Sequence, residues 1–494
     1  MAALLAVRVV LWATGNHFST NHIEPYEMWH LPPPEAMRSN PFGALWDQHS
    51  QPPLFAVFVG LVLRWSPLPD ALSLQILFTA AACLAALALF DILRLCGVRR
   101  WVAAVAAVVV FCDPILVGYE LVLYHEPVVV PLVTFVIWTV ARYAARPSLG
   151  RLGLMLAIAT ALVLTRAVFV PLWLVALVVV VLAVRRPQAD WRRVGALVAL
   201  PLVLLGGFMV KNQVRFGTWA LASWQGMNLE RVVMRTVVSP VERDRLIADG
   251  TLSPAAGVEP FAEYDQYARY FPDCKAHFGS QMLDQPDKPN ATLGYRANYN
   301  YACFVPVYQQ AQRDAIAAIR AEPGTYLHTV GTSAVLFVSD PRYGPGWSGL
   351  VGRPAGVLEA IYRVVPGAQW STTVTYPNYF PIAADVQLTV IVAIPLAIAL
   401  GARSLVRGLR GRATARDVVL AAGGMTVAYI TLASVLLDGF ENARFRAPLD
   451  PLLYGLVIGG GLEAALRWWS ARRAPAEPVA EPAEPDSEPD KALT

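Results

Sequence analysis

The sequence has little charge. Asp, Glu, Lys and Arg make up 15% of its 494 residues, whereas a typical soluble domain carries about 25%. Hydrophobic residues account for 56% of the chain, and the mean hydropathy is +0.45. A chain this apolar has too few polar side chains to cover a water-facing surface, so we expect lipid to surround much of it. Alternating strand-like segments are also lacking, which favours a bundle of helices in the membrane.

Cysteine is scarce: the sequence has five cysteines. It has neither a Cys-x-x-Cys nor a His-x-x-x-His spacing. These absences argue against a zinc site. Cys83, Cys96 and Cys112 fall in or beside apolar runs, where we expect small core residues. Cys274 and Cys303 share one large polar segment. They are candidates for a disulfide if that segment lies outside the cytoplasm.

A small-x-small cleavage site is missing after the first apolar run. We therefore predict a membrane helix there and not a signal peptide. Further apolar runs approach the length of about 20 residues that a helix needs to cross the hydrocarbon core. The predicted fold is an all-α integral membrane protein with about ten transmembrane helices, in a range of nine to thirteen. We place the spans near residues 2–14, 71–95, 101–117, 126–145, 150–165, 167–184, 194–210, 386–403, 417–437 and 452–468.

Arginines occupy every second connection between these runs, which predicts one consistent orientation because cytoplasmic loops are rich in Lys and Arg. We expect both termini in the cytoplasm of a multi-pass protein of the plasma (inner) membrane, with the remaining connections on the outer side. The clusters lie at residues 94–100, 142–151, 185–193, 403–416 and 467–473.

The chain divides into four predicted parts. Residues 1–210 form a transmembrane module with a long first outer loop, 15–70, in which 54–65 is too short to cross and is interpreted as an interfacial helix. Residues 211–385 form an extracytoplasmic insert with interfacial helices over Val305–Ile319 and Thr325–Val338. Residues 386–470 hold the last transmembrane helices, and the Glu-Pro-rich tail 471–494 is predicted to be a disordered cytoplasmic segment.

Acids and arginines gather on the predicted outer connections. A carboxylate near the bilayer is costly, so such residues are usually paired or functional. The segments are Glu24-Pro25-Tyr26-Glu27, Asp47 with His49-Ser50-Gln51-Pro52-Pro53-Leu54, Tyr124-His125-Glu126-Pro127, Lys211-Asn212-Gln213-Val214-Arg215-Phe216-Gly217 and Arg444-Phe445-Arg446-Ala447-Pro448-Leu449.

In their order along the chain, these segments resemble the GT-C membrane glycosyltransferases, in particular the protein O-mannosyltransferases and the lipid A aminoarabinose transferases. The resemblance runs from the first to the last outer loop. It implies transfer of a sugar from a polyprenyl-phosphate donor to an acceptor hydroxyl at an active site on the outer face. Those families commonly have an Asp-Glu pair in the first loop, whereas here Ile23 precedes Glu24.

Such a transfer needs a carboxylate base and cations for the leaving phosphate. We favour Glu24 as the base, with Glu27 next and Asp47 and Glu126 behind. Arginine grips two phosphate oxygens at once. The candidates for the donor phosphate are Arg444 and Arg446, then Arg166, Lys211 and Arg215, all of which also suit a simpler role as snorkelling arginines or lysines. His49, Tyr124, His125 and Glu126 are supporting candidates. Glu126 also fits an ordinary acid at a helix start.

No cofactor is firmly implied, although a divalent ion held by Glu24, His49 and Glu126 stays open. The expected partners are the polyprenyl-phosphate sugar, a glycan, lipid or protein acceptor, and membrane lipid, but no nucleic acid. Clustered tyrosines in the insert suit either sugar stacking or an interfacial belt. The alternatives are a multi-pass transporter and a lipid-linked polymer ligase or flippase. Similar halves and polar spans, which transporters often show, are missing from the sequence.

Overall fold

The computed structural model describes residues 1–18, 30–187, 189–288, 296–340, 350–364 and 369–473. The chain is predominantly helical. From the N-terminus the helices are α1 (Ala2–Ala13), α2 (Pro34–Ser39), α3 (Gly43–Asp47), α4 (Leu54–Trp65), α5 (Asp70–Leu95), α6 (Arg100–Phe111), α7 (Pro114–Tyr119), α8 (Glu126–Ala145), α9 (Leu149–Val163), α10 (Pro171–Val184) and α11 (Trp191–Phe216).

The segment between α11 and the next long apolar helix is called the insert. It contains α12 (Gln225–Thr236), α13 (Pro240–Ala248), α14 (Tyr264–Ala268), α15 (Gln281–Asp284), α16 (Phe304–Ala321), α17 (Pro323–Phe337), α18 (Arg353–Val364), β1 (Gln369–Val374) and β2 (Ile382–Gln387). The chain then continues through α19 (Leu388–Leu409), α20 (Ala415–Leu437), α21 (Asn442–Arg446), α22 (Asp450–Tyr454), a π-helical stretch (Gly455–Gly460) and α23 (Gly461–Arg473).

Among the described residues, six helical stretches are long and apolar enough to cross a membrane, and five shorter apolar helices accompany them. This composition confirms the predicted all-α multi-pass membrane fold. The long stretches are Asp70–Leu95, Glu126–Ala145, Trp191–Phe216, Leu388–Leu409, Ala415–Leu437 and Asn442–Ser470. The short ones are α1, α4, α6, α9 and α10.

One predicted span is broken. The run at 101–117 forms two helices, α6 and α7, with Asp113 and Pro114 at the junction. Proline has no N–H to continue the α6 hydrogen bonds and suits the first turn of a new helix. The Asp113 carboxylate accepts a hydrogen bond from the Ile115 amide and so caps α7. Hydropathy alone misses this break because both pieces are apolar.

Close packing of α19 on α20 depends on two glycines. A Cβ placed on Gly424 would lie 2.5 Å from the Ala397 carbonyl oxygen and 2.8 Å from the Gly401 Cα. Small residues let membrane helices approach this closely, and their association gains from van der Waals contact. In turn α20 packs against α8 and α10, so these four helices form one continuous part of the bundle.

The insert has its own core, built largely from aromatic residues. The predicted helices over 305–319 and 325–338 are confirmed as α16 and α17. The predicted disulfide is confirmed too: Cys274 and Cys303 are joined, with their Cα atoms 5.7 Å apart. Most of the clustered tyrosines pack in or against this core, which is a third role beside the two predicted; Tyr295 lies outside the described residues. The core members are Tyr264, Tyr267 and Tyr299, and Tyr270 and Tyr301 pack partly buried against them.

A β-hairpin precedes α19. Strands β1 and β2 pair antiparallel in a register that sets Gln369 opposite Gln387 and Val374 opposite Ile382. The hairpin was not predicted, because its residues are half exposed and lack a clear alternation of apolar side chains. It directs the Gln387 side chain into the bundle at the start of α19, where that side chain is buried. The predicted disordered tail from residue 474 onward lies outside the described residues.

Candidate active site

A cavity of about 460 Å³ lies between the connection that leads into α10, the last turns of α20 and helix α12 of the insert. Its wall has two different parts. One part is apolar and comes from the end of α20 and from the connection between α9 and α10: Leu432, Leu436, Leu437, Val168 and Val170. The other part is polar and comes from connections and from the insert: His30, Gln51, Arg166, Arg231, Asp438 and Glu441. The cavity therefore suits a ligand with a polar head and an apolar tail.

Arg166 enters the cavity from the connection between α9 and α10. Its Nη1 donates a hydrogen bond to His125 Nδ1 at 3.0 Å. Its Nη2 lies 3.5 Å from Glu126 Oε1, and its guanidinium stands over the Phe445 ring, 4.9 Å from the centroid. Only 6% of the residue is exposed. A buried arginine held this way stays charged and is ready for an anion.

Arg444 lies just behind the cavity wall, on α21. Its Nε donates to Glu126 Oε1 at 2.9 Å and its Nη1 donates to Glu441 Oε2 at 3.1 Å. The guanidinium also lies over the Tyr124 ring, 4.3 Å from the centroid, in a cation–π contact. With Glu441, it lines a smaller void of about 40 Å³ on the far side of the wall. Arg444 therefore joins the second and last predicted outer connections.

Two buried polar atoms of this group have no hydrogen-bond partner among the described residues: Glu126 Oε2 and Arg444 Nη2. An unpaired buried donor or acceptor costs about 1–3 kcal/mol. Such atoms are rare unless the site holds something more. Their position in a cluster of charges beside a cavity is typical of a site prepared for a polar ligand.

Arg231 reaches the same cluster from the insert. It lies on α12, and its Nη2 donates to Asp438 Oδ2 at 3.2 Å, while Nη1 is 3.8 Å from Glu441 Oε1. Its buried Nε has no partner in the described part of the chain. With this residue the ion pairs form one chain of alternating charge, in the order Asp438, Arg231, Glu441, Arg444, Glu126, Arg166.

His30 is the first described residue after the segment that holds Glu24 and Glu27, and it lines the cavity. Its ring centroid is 4.9 Å from that of Trp224 and 5.1 Å from that of His125. Burial and the charges of Arg444 and Arg166 lower the pKa of His30 well below its usual value. Lys288 is a further cation whose charge acts on His30, and burial lowers its own pKa to about 7.

The predicted bases Glu24 and Glu27 lie outside the described residues. Asp47, the third candidate, is paired away from the cavity: Oδ1 accepts from Arg215 at 2.6 Å and Oδ2 accepts from Ser280 Oγ at 2.6 Å. Lys211 donates to the carbonyls of Trp46 and Gln48, each at 3.2 Å. Asp47, Lys211 and Arg215 thus tie the first loop to α11 and the insert, and they are not among the residues that line the cavity.

His49 and Arg446 are also fully engaged. His49 Nε2 donates to the Asn300 carbonyl at 2.9 Å, and Nδ1 accepts from Ser223 Oγ at 2.8 Å. Arg446 has no exposed surface, and its guanidinium donates to Asp450, Gln387 and the carbonyls of Phe337 and Ser339. These contacts give both residues a structural role. The arrangement leaves Arg446 without a free N–H for a donor phosphate.

The described residues contain no group of three or more His, Cys, Asp or Glu side chains suited to a metal ion. Both ring nitrogens of His49 are hydrogen-bonded within the protein, which leaves the predicted trio of Glu24, His49 and Glu126 without a free imidazole. Glu126 keeps one unpaired oxygen, Oε2.

Sequence reasoning missed Arg231, Asp438 and His30 as parts of the site. Asp438 carried a usable signal, since it follows a predicted span directly and stands three residues before Glu441 in a charged stretch. His30 stood among several loop histidines. Nothing in the sequence of α12 distinguishes Arg231 from Arg235, because both are basic residues of an amphipathic helix.

Comparisons with known proteins give structural neighbours but no sequence match. The chain aligns with the oligosaccharyltransferase of Archaeoglobus fulgidus tethered to an acceptor peptide with the NVT sequon, at TM-score 0.37 and 10% identity, covering 96% of this chain and 50% of that one. It aligns with ArnT from Cupriavidus metallidurans bound to undecaprenyl phosphate at TM-score 0.33 and 15% identity, covering 96% of this chain and 80% of that one. No family model and no curated protein matches.

Both neighbours are GT-C glycosyltransferases, the class that the sequence motifs resemble. The chain spans about half the length of the archaeal oligosaccharyltransferase.

Proposed function

We propose that this chain is a membrane glycosyltransferase that takes a sugar from a polyprenyl-phosphate donor and transfers it to an acceptor hydroxyl on the extracytoplasmic face. The observation that carries the proposal is the composition of the 460 Å³ cavity. It joins a buried polar end, where the guanidinium groups of Arg166 and Arg231 lie, to an apolar wall formed by α20 and the connection that leads into α10. A lipid phosphate has the matching shape, with a charged head and a hydrocarbon tail.

Arg166 and Arg231 bind the donor phosphate in this proposal, since both line the cavity. During transfer the acceptor oxygen bonds to the anomeric carbon while the bond from that carbon to the phosphate oxygen breaks. The released phosphate gains negative charge, which fixed guanidinium groups in a dry site stabilise strongly. Arg444 acts from behind the wall as a positioning residue, because it holds Glu126 and Glu441 against the two arginines in front.

A carboxylate on the first outer loop takes the proton of the acceptor hydroxyl. We propose Glu24 or Glu27, because the loop that carries them leads directly to His30 in the cavity wall. Glu27 is three residues before His30 in the sequence, and three residues of extended chain reach at most about 10 Å. The lowered pKa of His30 keeps its ring neutral. A positive charge on His30 would lower the pKa of a nearby carboxylate and so make it a weaker base. The neutral ring has no such effect.

The orientation belongs to the same proposal. The cavity and the insert lie on the side opposite the arginine-rich connections, so both termini lie in the cytoplasm and the site opens to the outer face. No nucleotide takes part, and the sugar is supplied already bound to its lipid carrier. The acceptor is a glycan, a lipid or a protein.

The test uses the full chain in lipid nanodiscs with a panel of radiolabelled polyprenyl-phosphate sugars and membranes that supply acceptors. Arg231→Gln is expected to weaken binding of polyprenyl phosphate about tenfold or more, since a hydrogen bond to a charged group contributes about 1.5–3 kcal/mol. Arg235→Gln is the matched control, because Arg235 lies on the same helix but pairs with the exposed Glu259. Equal binding by both variants would contradict the proposed role of Arg231.

The same assay separates the rival functions. Glu24→Gln and Glu27→Gln are expected to leave binding intact, and one of them is expected to lower transfer about 10²–10⁴-fold as the loss of a general base does. Movement of the donor across the membrane without covalent transfer would indicate that the protein is a flippase and not a glycosyltransferase. Attachment of a whole lipid-linked polymer would indicate a ligase. Failure to bind any polyprenyl phosphate would overturn the proposal.

A further inference from the structure

A second crevice lies at the other end of α20, beside its first turns. It occupies about 180 Å³ between the C-terminal end of α5, the N-terminal half of α20 and the last helical stretch. Its wall is almost entirely apolar, with Leu89, Leu93, Val419, Leu420 and Leu456 among the lining residues. An apolar cavity of this size holds an apolar molecule, since an engineered cavity of about 150 Å³ takes up benzene.

Glycines keep the crevice open. Gly423 and Gly460 both line it, and a Cβ on Gly423 would meet no other atom within 4 Å. Gly460 ends the π-helical stretch Gly455–Gly460. Such stretches are rare and are frequently found at functional sites. Because glycine has no side chain, the space beside Gly423 and Gly460 is left open for a ligand.

The mouth of the crevice is positively charged. Arg416 and Arg467 line it together with a single acid, Glu463. Glu463 pairs with both Arg467 and Arg99, at 2.8 and 3.4 Å. Arg416 is exposed and has no ion-pair partner among the described residues. One carboxylate therefore faces three guanidinium groups, which leaves an excess of positive charge where an apolar crevice opens.

We infer that this crevice binds an anionic phospholipid of the surrounding membrane, with the headgroup phosphate at Arg416 and Arg467 and part of one acyl chain between α5, α20 and the last helix. Charge complementarity selects an anionic lipid over a zwitterionic one. Basic pockets between transmembrane helices on the cytoplasmic side bind acidic headgroups in the same way. This lipid site lies at the far end of the bundle from the proposed active site and stands independently of it.

The experiment is native mass spectrometry of the full chain released from bilayers of phosphatidylglycerol and phosphatidylethanolamine in equal amounts. The wild type is expected to retain one phosphatidylglycerol in preference to phosphatidylethanolamine. Arg416→Gln is expected to lower that occupancy about fivefold, the contribution of one arginine near a membrane surface. Arg412→Gln changes an exposed arginine just before α20 that does not line the crevice, and it is expected to leave the occupancy unchanged.

A second variant tests the acyl chain separately. Gly423→Leu places a side chain in the open crevice and is expected to abolish retention of the lipid. Gly207→Leu is its control, since Gly207 lies on α11 and does not line the crevice, and a Cβ added there would also meet no other atom within 4 Å. Equal retention of both lipids by the wild type, or equal retention of phosphatidylglycerol by Gly423→Leu and Gly207→Leu, would overturn the inference.

Discussion

Glu126 and Arg444 lie 318 residues apart in the sequence, and their buried side chains form a hydrogen-bonded ion pair with a distance of 2.9 Å from Arg444 Nε to Glu126 Oε1. Glu126 is the first residue of α8, where the positive end of the helix dipole also favours an acid. Arg444 is on α21, the short helix that begins the last long apolar stretch. Their contact fixes the connection that precedes α8 relative to the connection that follows α20, and residues in or next to both connections belong to the charged cluster at the cavity.

Loss of Arg444 is predicted to destabilise the protein. Arg444→Ala removes the partner of two buried acids, Glu126 and Glu441. Removal of one partner from a buried ion pair typically costs about 3–5 kcal/mol, because the other charge stays buried and unpaired. The measurement is the thermal unfolding midpoint in detergent, with Arg410→Ala as the control, since Arg410 is an exposed residue at the end of α19. Equal midpoints for the two variants would contradict a structural role for the pair.

The positions of the membrane helices could be predicted from the sequence because hydropathy acts locally. About 20 apolar residues form a helix in lipid whatever the rest of the chain does. The predicted span 101–117 was wrong because Asp113 and Pro114 end one helix and begin another, although the residues on both sides are apolar. The hairpin before α19 was missed for the opposite reason, since its pairing depends on residues 18 positions apart, Gln369 and Gln387.

The site was harder to predict because its contacts join distant parts of the chain. Arg231 and Asp438 are 207 residues apart, and no local pattern announces their pairing. Arg444 and Arg446 illustrate a second difficulty. Two residues apart on a helical turn, they point about 200° away from each other. Arg444 therefore faces the charged cluster while Arg446 faces Asp450 and Gln387, although the sequence gives both the same character.

Helix packing gives a prediction with a matched control beside it. Gly424→Ala is expected to lower stability by about 1–3 kcal/mol, the usual effect of overpacking a tight contact, because its Cβ would lie 2.5 Å from the Ala397 carbonyl oxygen. Gly423→Ala changes the neighbouring glycine of the same helix, where no atom lies within 4 Å. Unfolding midpoints of the two variants are compared. Gly423→Ala is expected to keep or raise the midpoint, because alanine has a higher helix propensity than glycine. An equal fall in the midpoint for both variants would contradict the packing explanation.

The disulfide of the insert is predicted to stabilise that part of the chain. Cys274 and Cys303 are 29 residues apart, and the chain-entropy relation gives about 3.5 kcal/mol for a loop of that length. Replacement of both residues by serine is expected to expose the aromatic core and speed cleavage within the insert by a protease. The double variant Cys83→Ser and Cys112→Ser is the control for loss of two cysteines, because these residues are free thiols in the membrane helices. Equal cleavage rates for wild type and the Cys274, Cys303 variant would contradict the prediction.

His49 is predicted to make the protein less stable in acid. Burial lowers the pKa of His49 to about 3, and the positive charges of Lys211 and Arg215 act in the same direction, whereas an unfolded histidine titrates near about 6.5. As the pH falls from about 6.5 towards 3, the unfolded chain therefore takes up a proton at this ring that the folded chain does not, and stability declines over that window. His49→Gln removes this contribution, so its unfolding midpoint is expected to start lower at neutral pH but to fall less steeply with acid than that of the wild type. His277→Gln changes an exposed histidine of the insert, and its unfolding midpoint is expected to fall with acid as steeply as that of the wild type. If the midpoint of His49→Gln falls equally steeply, His49 already takes up its proton in the folded protein and the prediction is wrong.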